Sequence, residues 1–210
     1  METVDIMNKI YNEDYKVTIP KLSNIKMVIT SPPDAEEIGL KPTSIEYRKF
    51  IEDFIDNITK VTNLICVVMT DRKSKGVIPK HSYLTYNFLE IHGFNLLSHK
   101  IWVRSTKSNL FRLTYTHVMV FSKGSIKQAH YSEYEPDVWE MPSEKRANSF
   151  PVEMIKRIVK NFTSRGDLVF DPFMGTGATA VALKEEGRNY VGSELYEEIY
   201  KECIERVNNE

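Results

Sequence analysis

The sequence predicts an α/β fold: a Rossmann-like, mostly parallel sheet with helices on both faces. Three observations point to it. Short apolar runs rich in β-branched residues, IKMVIT from Ile25, NLICVVMT from Asn63 and DLVF from Asp167, have the length and unbroken hydrophobicity of strands buried on both faces. Stretches with helical apolar spacing alternate with them, as crossover connections between parallel strands require. The segment LVFDPFMGTGATAVAL sets a glycine-containing turn between a strand and a helix, the arrangement that open α/β sheets place at their carboxyl edge.

Taken in order, residues 25–30 form a first strand that Ser31-Pro32-Pro33 stops sharply, because two prolines cannot continue a ladder. Positions 44–62 carry Tyr47, Phe50, Ile51, Phe54, Ile55 and Ile58 at helical spacing, and 63–70 follow as a central strand. Residues 82–91 read as a helix ending at Gly93. Residues 95–103 and 117–121 read as strands of an antiparallel hairpin whose connection holds Arg104, Lys107 and Arg112. The polar, acidic stretch 131–148 is the one linker-like segment. Beyond it come an amphipathic helix at 152–162, a strand at 167–170, a helix at 175–186, a strand at 190–193 and a closing helix at 197–207. Neither half has enough strands to cover both faces of such a sheet, so 1–210 is expected to be a single domain.

Composition narrows the function classes. The chain has 210 residues, 41% hydrophobic and 27% charged, which excludes a disordered or collagen-like protein. No apolar run approaches the roughly 18 residues of a spanning helix, and METVDIMNKI lacks the layout of a signal peptide, so a soluble, cytoplasmic protein without a membrane partner is expected. Cys66 and Cys203 cannot build a disulfide framework or a cysteine-rich zinc site, and no metal site is expected. The net charge of −1 conceals a division: residues 72–130 hold ten Lys and Arg against one acid, Glu90, together with all five histidines. Arg72, Lys73, Lys75, Lys80, Arg104, Lys107 and Arg112 are therefore candidates to face a polyanion, against the plainer alternative of a solvated charged face.

Two local patterns carry chemistry. In the glycine turn, Gly175 and Gly177 allow close backbone approach to a ligand, and Glu194, at the end of the next strand, can accept hydrogen bonds from two ribose hydroxyls. No phosphate loop is present, and Asp171 beside the turn would repel a pyrophosphate, so an adenosine-type ligand without phosphates fits best. The second pattern is Ser31-Pro32-Pro33. It lacks amide donors at both prolines and presents carbonyls beside a serine oxygen, a set of acceptors suited to the hydrogens of an amino group. On its own such a tripeptide is usually just the start of a loop.

Together these residues resemble the amino-group-specific DNA methyltransferases of the permuted β order, in which a (D/N/S)PP(Y/F/W) tetrapeptide precedes a cofactor motif of the form DPFxGSGT. Here SPP is followed about 140 residues later by DPFMGTGAT, and GRNYVGSELYEEIYKECIERV is similar to the second cofactor motif. HGFNLLSHKIWVRS, YTHVMVFSKG, VWEMP and SFPVEMIKRIVKNFTSRGDLVFDPF are similar to the connecting blocks, so the resemblance covers nearly the whole chain. It implies S-adenosylmethionine as cofactor, with Asp171, Pro172, Phe173, Gly175, Thr176 and Gly177 lining its pocket and Glu194 on the ribose. Asp14 of NEDY would lie near the adenine, and Phe150 and Pro151 over the methionine end. It further implies that Ser31 and the Pro32 carbonyl grip the target amine, with Pro33 and Asp34 completing the tetrapeptide.

Ser31 in the first tetrapeptide position is more similar to the cytosine-N4 members than to the adenine-N6 ones. Restriction-modification DNA methylation is thus the implied role, with DNA as partner and a second copy or a companion restriction or specificity subunit as further candidates. Methylation of adenine-N6, of RNA or of single-stranded DNA, and an inactive subunit that binds cofactor and DNA, remain as alternatives. Two departures stand out. Asp34 occupies the place of the aromatic that stacks on a flipped base, leaving Tyr47 or Phe50 as nearby rings. The target-recognition region, around 104–137, is minimal.

Overall fold

The apolar runs pair as strands and the amphipathic stretches coil as helices in a computed structural model that describes residues 6–73, 76–104, 113–124, 135–144 and 149–210. In chain order the elements are β1 (Lys9–Tyr11), α1 (Tyr15–Thr18), β2 (Ile25–Thr30), α2 (Ile45–Ile58), β3 (Leu64–Met69), β4 (Arg72–Lys73), β5 (Val77–Ile78) and α3 (Lys80–Tyr86). Then follow β6 (Asn95–Val103), β7 (Tyr115–Ser122), β8 (Val138–Glu140), α4 (Val152–Phe162), β9 (Leu168–Asp171), α5 (Ala178–Glu185), β10 (Asn189–Ser193) and α6 (Glu197–Asn209). They form two compact units, one of residues 1–30, 127–134 and 143–210, the other of 31–126 and 135–142.

In the first unit the strands run β1-β10-β9-β2, all parallel, with Ile10 opposite Gly192, Gly192 opposite Asp171 and Val28 opposite Phe170. Their carboxyl ends, Tyr11, Ser193, Asp171 and Thr30, therefore share one edge. The helix α4 buries Met154, Ile155, Ile158, Val159 and Phe162, spaced so that one stripe faces inward. The sequence places the next helix from Gly175, but α5 starts only at Ala178, because Gly175 (φ 54°) and Gly177 (φ 85°) adopt left-handed backbone that no helix contains. Gly177 is also a packing requirement. A Cβ there would stand 2.8 Å from Cys203 Sγ and 3.1 Å from Val207 Cγ2, both on α6.

In the second unit the order is β3-β7-β6-β8; β7 is antiparallel to both neighbours and β8 is parallel to β6. All six residues of β3 are buried, as its continuous hydrophobicity requires. Ser44 caps α2 by accepting from Tyr47 N at 3.1 Å, and the helix buries Tyr47, Ile51, Phe54, Ile55 and Ile58. The β6–β7 hairpin forms as expected and is longer in β7, while the helix expected at 82–91 starts at Lys80 and finishes, at Asn87–Ile91, in one wider turn. The stretch read as a linker contains β8, where Trp139, only 3% exposed, supplies an anchor. The short strands β1, β4 and β5 are too brief to show periodicity in the sequence. Among the described residues no helix is long and apolar enough to cross a membrane.

Candidate active site

The glycine turn of the first unit is held by two carboxylates. Asp171 is 3% exposed; its Oδ1 accepts from Phe173 N at 3.0 Å and its Oδ2 from the Thr179 hydroxyl at 2.7 Å. It thus lies beneath the turn and shapes it. Pro172 is buried, while Phe173 and Thr176 are half-buried, Phe173 with its ring edge-on to Tyr15 at 5.2 Å. Glu194 is 7% exposed and accepts from Gly175 N at 3.0 Å through Oε2 and from Tyr196 N at 2.9 Å through Oε1. With both oxygens on backbone amides it fixes the turn, and each retains a further lone pair for a ligand hydroxyl.

The unforeseen strand β1 brings the acidic N-terminal motif to this edge. Glu194 N donates to Tyr11 O at 3.0 Å and Asn12 Nδ2 to Glu194 O at 2.9 Å. Asp14 follows, capping α1 by accepting from Lys16 N at 2.8 Å. Directly after Glu194, Leu195 (58%) and Tyr196 (53%) are exposed, an apolar pair that sequence reading passed over. Also unforeseen is the clasp at the start of α4, which Phe150 enters and Pro151 caps: Glu144 Oε1 accepts from Val152 N at 3.0 Å, and Glu144 in turn pairs with buried Arg206 at 2.9 Å. A cleft of about 590 Å³ opens beside that clasp and includes Pro151 but none of the turn residues.

Burial, with the nearby Glu194 charge adding to it, pushes the Asp171 carboxyl up to about 6 in spite of its hydrogen bonds. A raised folded-state value means that this group favours folding fully only below the ordinary carboxylate range, near 4, and that the benefit is lost as pH rises through about 6. Asp171→Asn should therefore gain on the native chain by about 2–3 kcal/mol between pH 4 and pH 7 in urea unfolding. A difference that stays flat with pH would show that Asp171 ionises freely.

In the second unit, Ser31 is half-buried and Pro32 buried. Among the described residues neither the Ser31 hydroxyl nor the Pro32 carbonyl has a hydrogen-bond partner, whereas the Pro33 carbonyl accepts from the Tyr47 hydroxyl at 3.1 Å. Tyr47, 2% exposed and stacked on Phe50 at 6.1 Å, is thereby committed to the loop and is not a replacement ring for a base. Asp34 pairs with Lys80 and lies 3.7 Å from Arg72 Nε.

That pairing corrects part of the proposed polyanion surface. Lys80 has a side chain only 4% exposed, and Arg72 is shared between Asp34 and Glu36, the latter at 2.9 Å. These acids lie outside the basic segment in sequence and neutralise it in space. Lys73 and Arg104 are half-buried, with Arg104 donating to Leu113 O at 3.1 Å. Lys75, Lys107 and Arg112 lie outside the described residues.

One further cluster has metal-ligating side-chain types: Asp71, His81 and His117, with candidate ligand atoms within 4.8 Å of one another. His81 Nδ1 is 2.7 Å from Asp71 Oδ2, and His117 Nδ1 is 2.9 Å from His99 Nε2. The His81 and His117 rings stack at 4.0 Å with 23° between planes, so their in-plane lone pairs do not converge on one point. The arrangement is that of a proton-sharing cluster rather than of a metal cage. Burial, followed by the neighbouring His117 and His81, holds His99 below the ordinary histidine range.

The profile of the family described as DNA methylase matches residues 25–205, from β2 to α6. The chain belongs to this DNA methylase family. It is 31% identical over 173 residues to the type II methyltransferase M.MjaI of Methanocaldococcus jannaschii, covering 63% of this chain and 57% of that one. It therefore spans little more than half of that relative. Among solved structures it is similar to the PvuII DNA methyltransferase, described as cytosine-N4-specific, with TM-score 0.80, 16% identity, and 96% and 90% of the two chains covered. It is also similar to TTHA0409, a DNA modification methylase of Thermus thermophilus solved with S-adenosyl-L-methionine, with TM-score 0.77, 22% identity, and 96% and 93% covered. At such identities the two structures establish the shared methylase fold.

Proposed function

We propose that this DNA methylase transfers a methyl group from S-adenosylmethionine to an exocyclic amino group in DNA, with cytosine N4 as the target. The observation that carries the reading is the pair of unengaged acceptors, the Ser31 hydroxyl and the Pro32 carbonyl, directly after a strand whose carboxyl end shares an edge with the glycine turn. The turn suits the cofactor: two neighbouring carboxylates, Asp171 and Glu194, disfavour phosphate, and Gly175 has open space where a side chain would stand. In this reading Glu194 accepts from the ribose hydroxyls, the exposed Leu195 and Tyr196 flank the adenine with Asp14 nearby, and Phe150 covers the methionine end.

When bound, S-adenosylmethionine supplies an electrophilic methyl on a sulfonium. The protein's task is to aim a poor nucleophile, because the lone pair of an exocyclic amine is delocalised into its ring. Ser31 Oγ and the Pro32 carbonyl accept the two amino hydrogens, turning the lone pair out of the ring plane; positioning of this kind is the main catalytic device. Lys73 and Arg104, with Lys75, Lys107 and Arg112, would meet the phosphates flanking an extruded base. Both units belong to one catalytic domain in this reading, with base readout by residues 104–137. A cytoplasmic setting and a second copy or companion subunit belong to the same proposal.

Tritium transfer from labelled S-adenosylmethionine to duplex DNA, followed by nucleoside analysis, tests it. The expected product is N4-methylcytosine. N6-methyladenine would move the target, label only on RNA or single-stranded DNA would move the substrate, and no label on any nucleic acid would overturn the enzymatic reading.

A further inference from the structure

The loop that carries Ser31 and Pro32 is anchored by charge. Asp34 N donates to Glu37 Oε2 at 2.7 Å, and Asp34 Oδ1 accepts from Lys80 Nζ while Oδ2 faces Arg72. Lys80 opens α3, and the residue after it is fixed twice over: His81 N donates to Asp71 Oδ1 at 3.1 Å, and His81 Nδ1 sits 2.7 Å from Asp71 Oδ2. Asp71 lies just beyond β3, whose six residues are all buried. The rigid strand end thus sets where α3 begins, and with it the place of the Lys80 ammonium. An ammonium so withdrawn from water is tolerated only against an anion, and among the described residues Asp34 is the carboxylate that pairs with it. Asp34 is consequently drawn to one position, and the two prolines before it transmit that position stiffly because their φ angles are fixed.

We infer that Lys80 is a positioning residue for methyl transfer: its ion pair with Asp34 sets the backbone of Pro32 and Pro33 and so aims the carbonyl that receives the target amine. The inference rests on the amino-methyltransferase reading above. It also gives Asp34 a part that an aromatic side chain could not play, since a ring offers Lys80 no carboxylate.

The two partners differ in exposure, 4% for the Lys80 side chain and 28% for that of Asp34, and the difference orders the variants. Lys80→Met leaves a carboxylate that can hydrate. Asp34→Asn leaves a buried cation with no partner and should be the worse of the two. Removing both charges together restores a neutral, similarly shaped contact. The test is single-turnover methylation of duplex DNA at saturating S-adenosylmethionine, with cofactor affinity measured by calorimetry and each thermal midpoint recorded. Lys80→Met should slow the chemical step about tenfold and Asp34→Asn more, with cofactor affinity within about twofold. The double variant Asp34→Asn/Lys80→Met should return to within about threefold of the native rate. If Asp34→Asn does not fold, Lys80→Met and the double variant still carry the comparison. Single variants with native rates, or a double variant as slow as the product of the single losses, would overturn the inference and leave the methyltransferase reading standing. A native protein that labels no DNA would take both down.

Discussion

Ser31→Ala should lower the rate of methyl transfer about a hundredfold while S-adenosylmethionine affinity stays within about twofold. The magnitude is that of removing one preorganised hydrogen-bonding group from a site where it acts on the reacting atoms. The asymmetry follows from location. Ser31 starts the loop after β2, its hydroxyl has no partner among the described residues, and Glu194 and the glycine turn have their own supports. Nothing in the fold is lost with the hydroxyl, so the thermal midpoint should hardly move. Only the amine loses an acceptor, which lowers kcat rather than raising the KM for cofactor. Ser31→Thr, which keeps an oxygen on Cβ, should retain more activity than Ser31→Ala. Weakened cofactor binding with an unchanged rate per bound complex would make Ser31 a structural loop residue instead.

Glu194→Ala should weaken S-adenosylmethionine binding by roughly tenfold to a hundredfold, as loss of a charge-assisted contact worth about 1.5–3 kcal/mol implies. Glu194 has two tasks. Besides its proposed contact with the ribose, it accepts from the amides of Gly175 and Tyr196, so alanine also removes the acceptor that orients the turn. Glu194→Gln separates the tasks: its single amide oxygen can hold the Gly175 amide but cannot serve Tyr196 and two hydroxyls as well. Its affinity should fall between native and alanine. Calorimetry giving native affinity for both variants would remove Glu194 from the cofactor site.

The cofactor half of the site was largely legible because its chemistry is local in sequence. Asp171, Gly175, Gly177 and Glu194 lie within one strand-turn-helix-strand stretch, and left-handed backbone at the two glycines follows from residue type and turn geometry. Asp14 was a matter of resemblance alone until β1 paired with β10 and carried it to the same edge. The role of Asp171 shifted, from lining a pocket to holding the turn from beneath, since burial is a property of packing and not of the residue.

By itself the sequence determined the strand-helix alternation, the parallel order within the first unit, the place of the glycine turn and the break after β2, all of which depend on periodicity and on glycine or proline backbone limits. Only the tertiary structure decided what the charges do. The basic segment reads as a cationic surface, yet Arg72 and Lys80 find Asp34 and Glu36, Lys100 finds Asp137 at 2.7 Å, and Arg206 reaches Glu144 across a gap of 62 residues in the chain. A side-chain charge acts over a few ångströms and is neutralised by whichever partner folding brings there, so its availability to DNA or to a ligand is fixed by long-range pairing that no local pattern encodes.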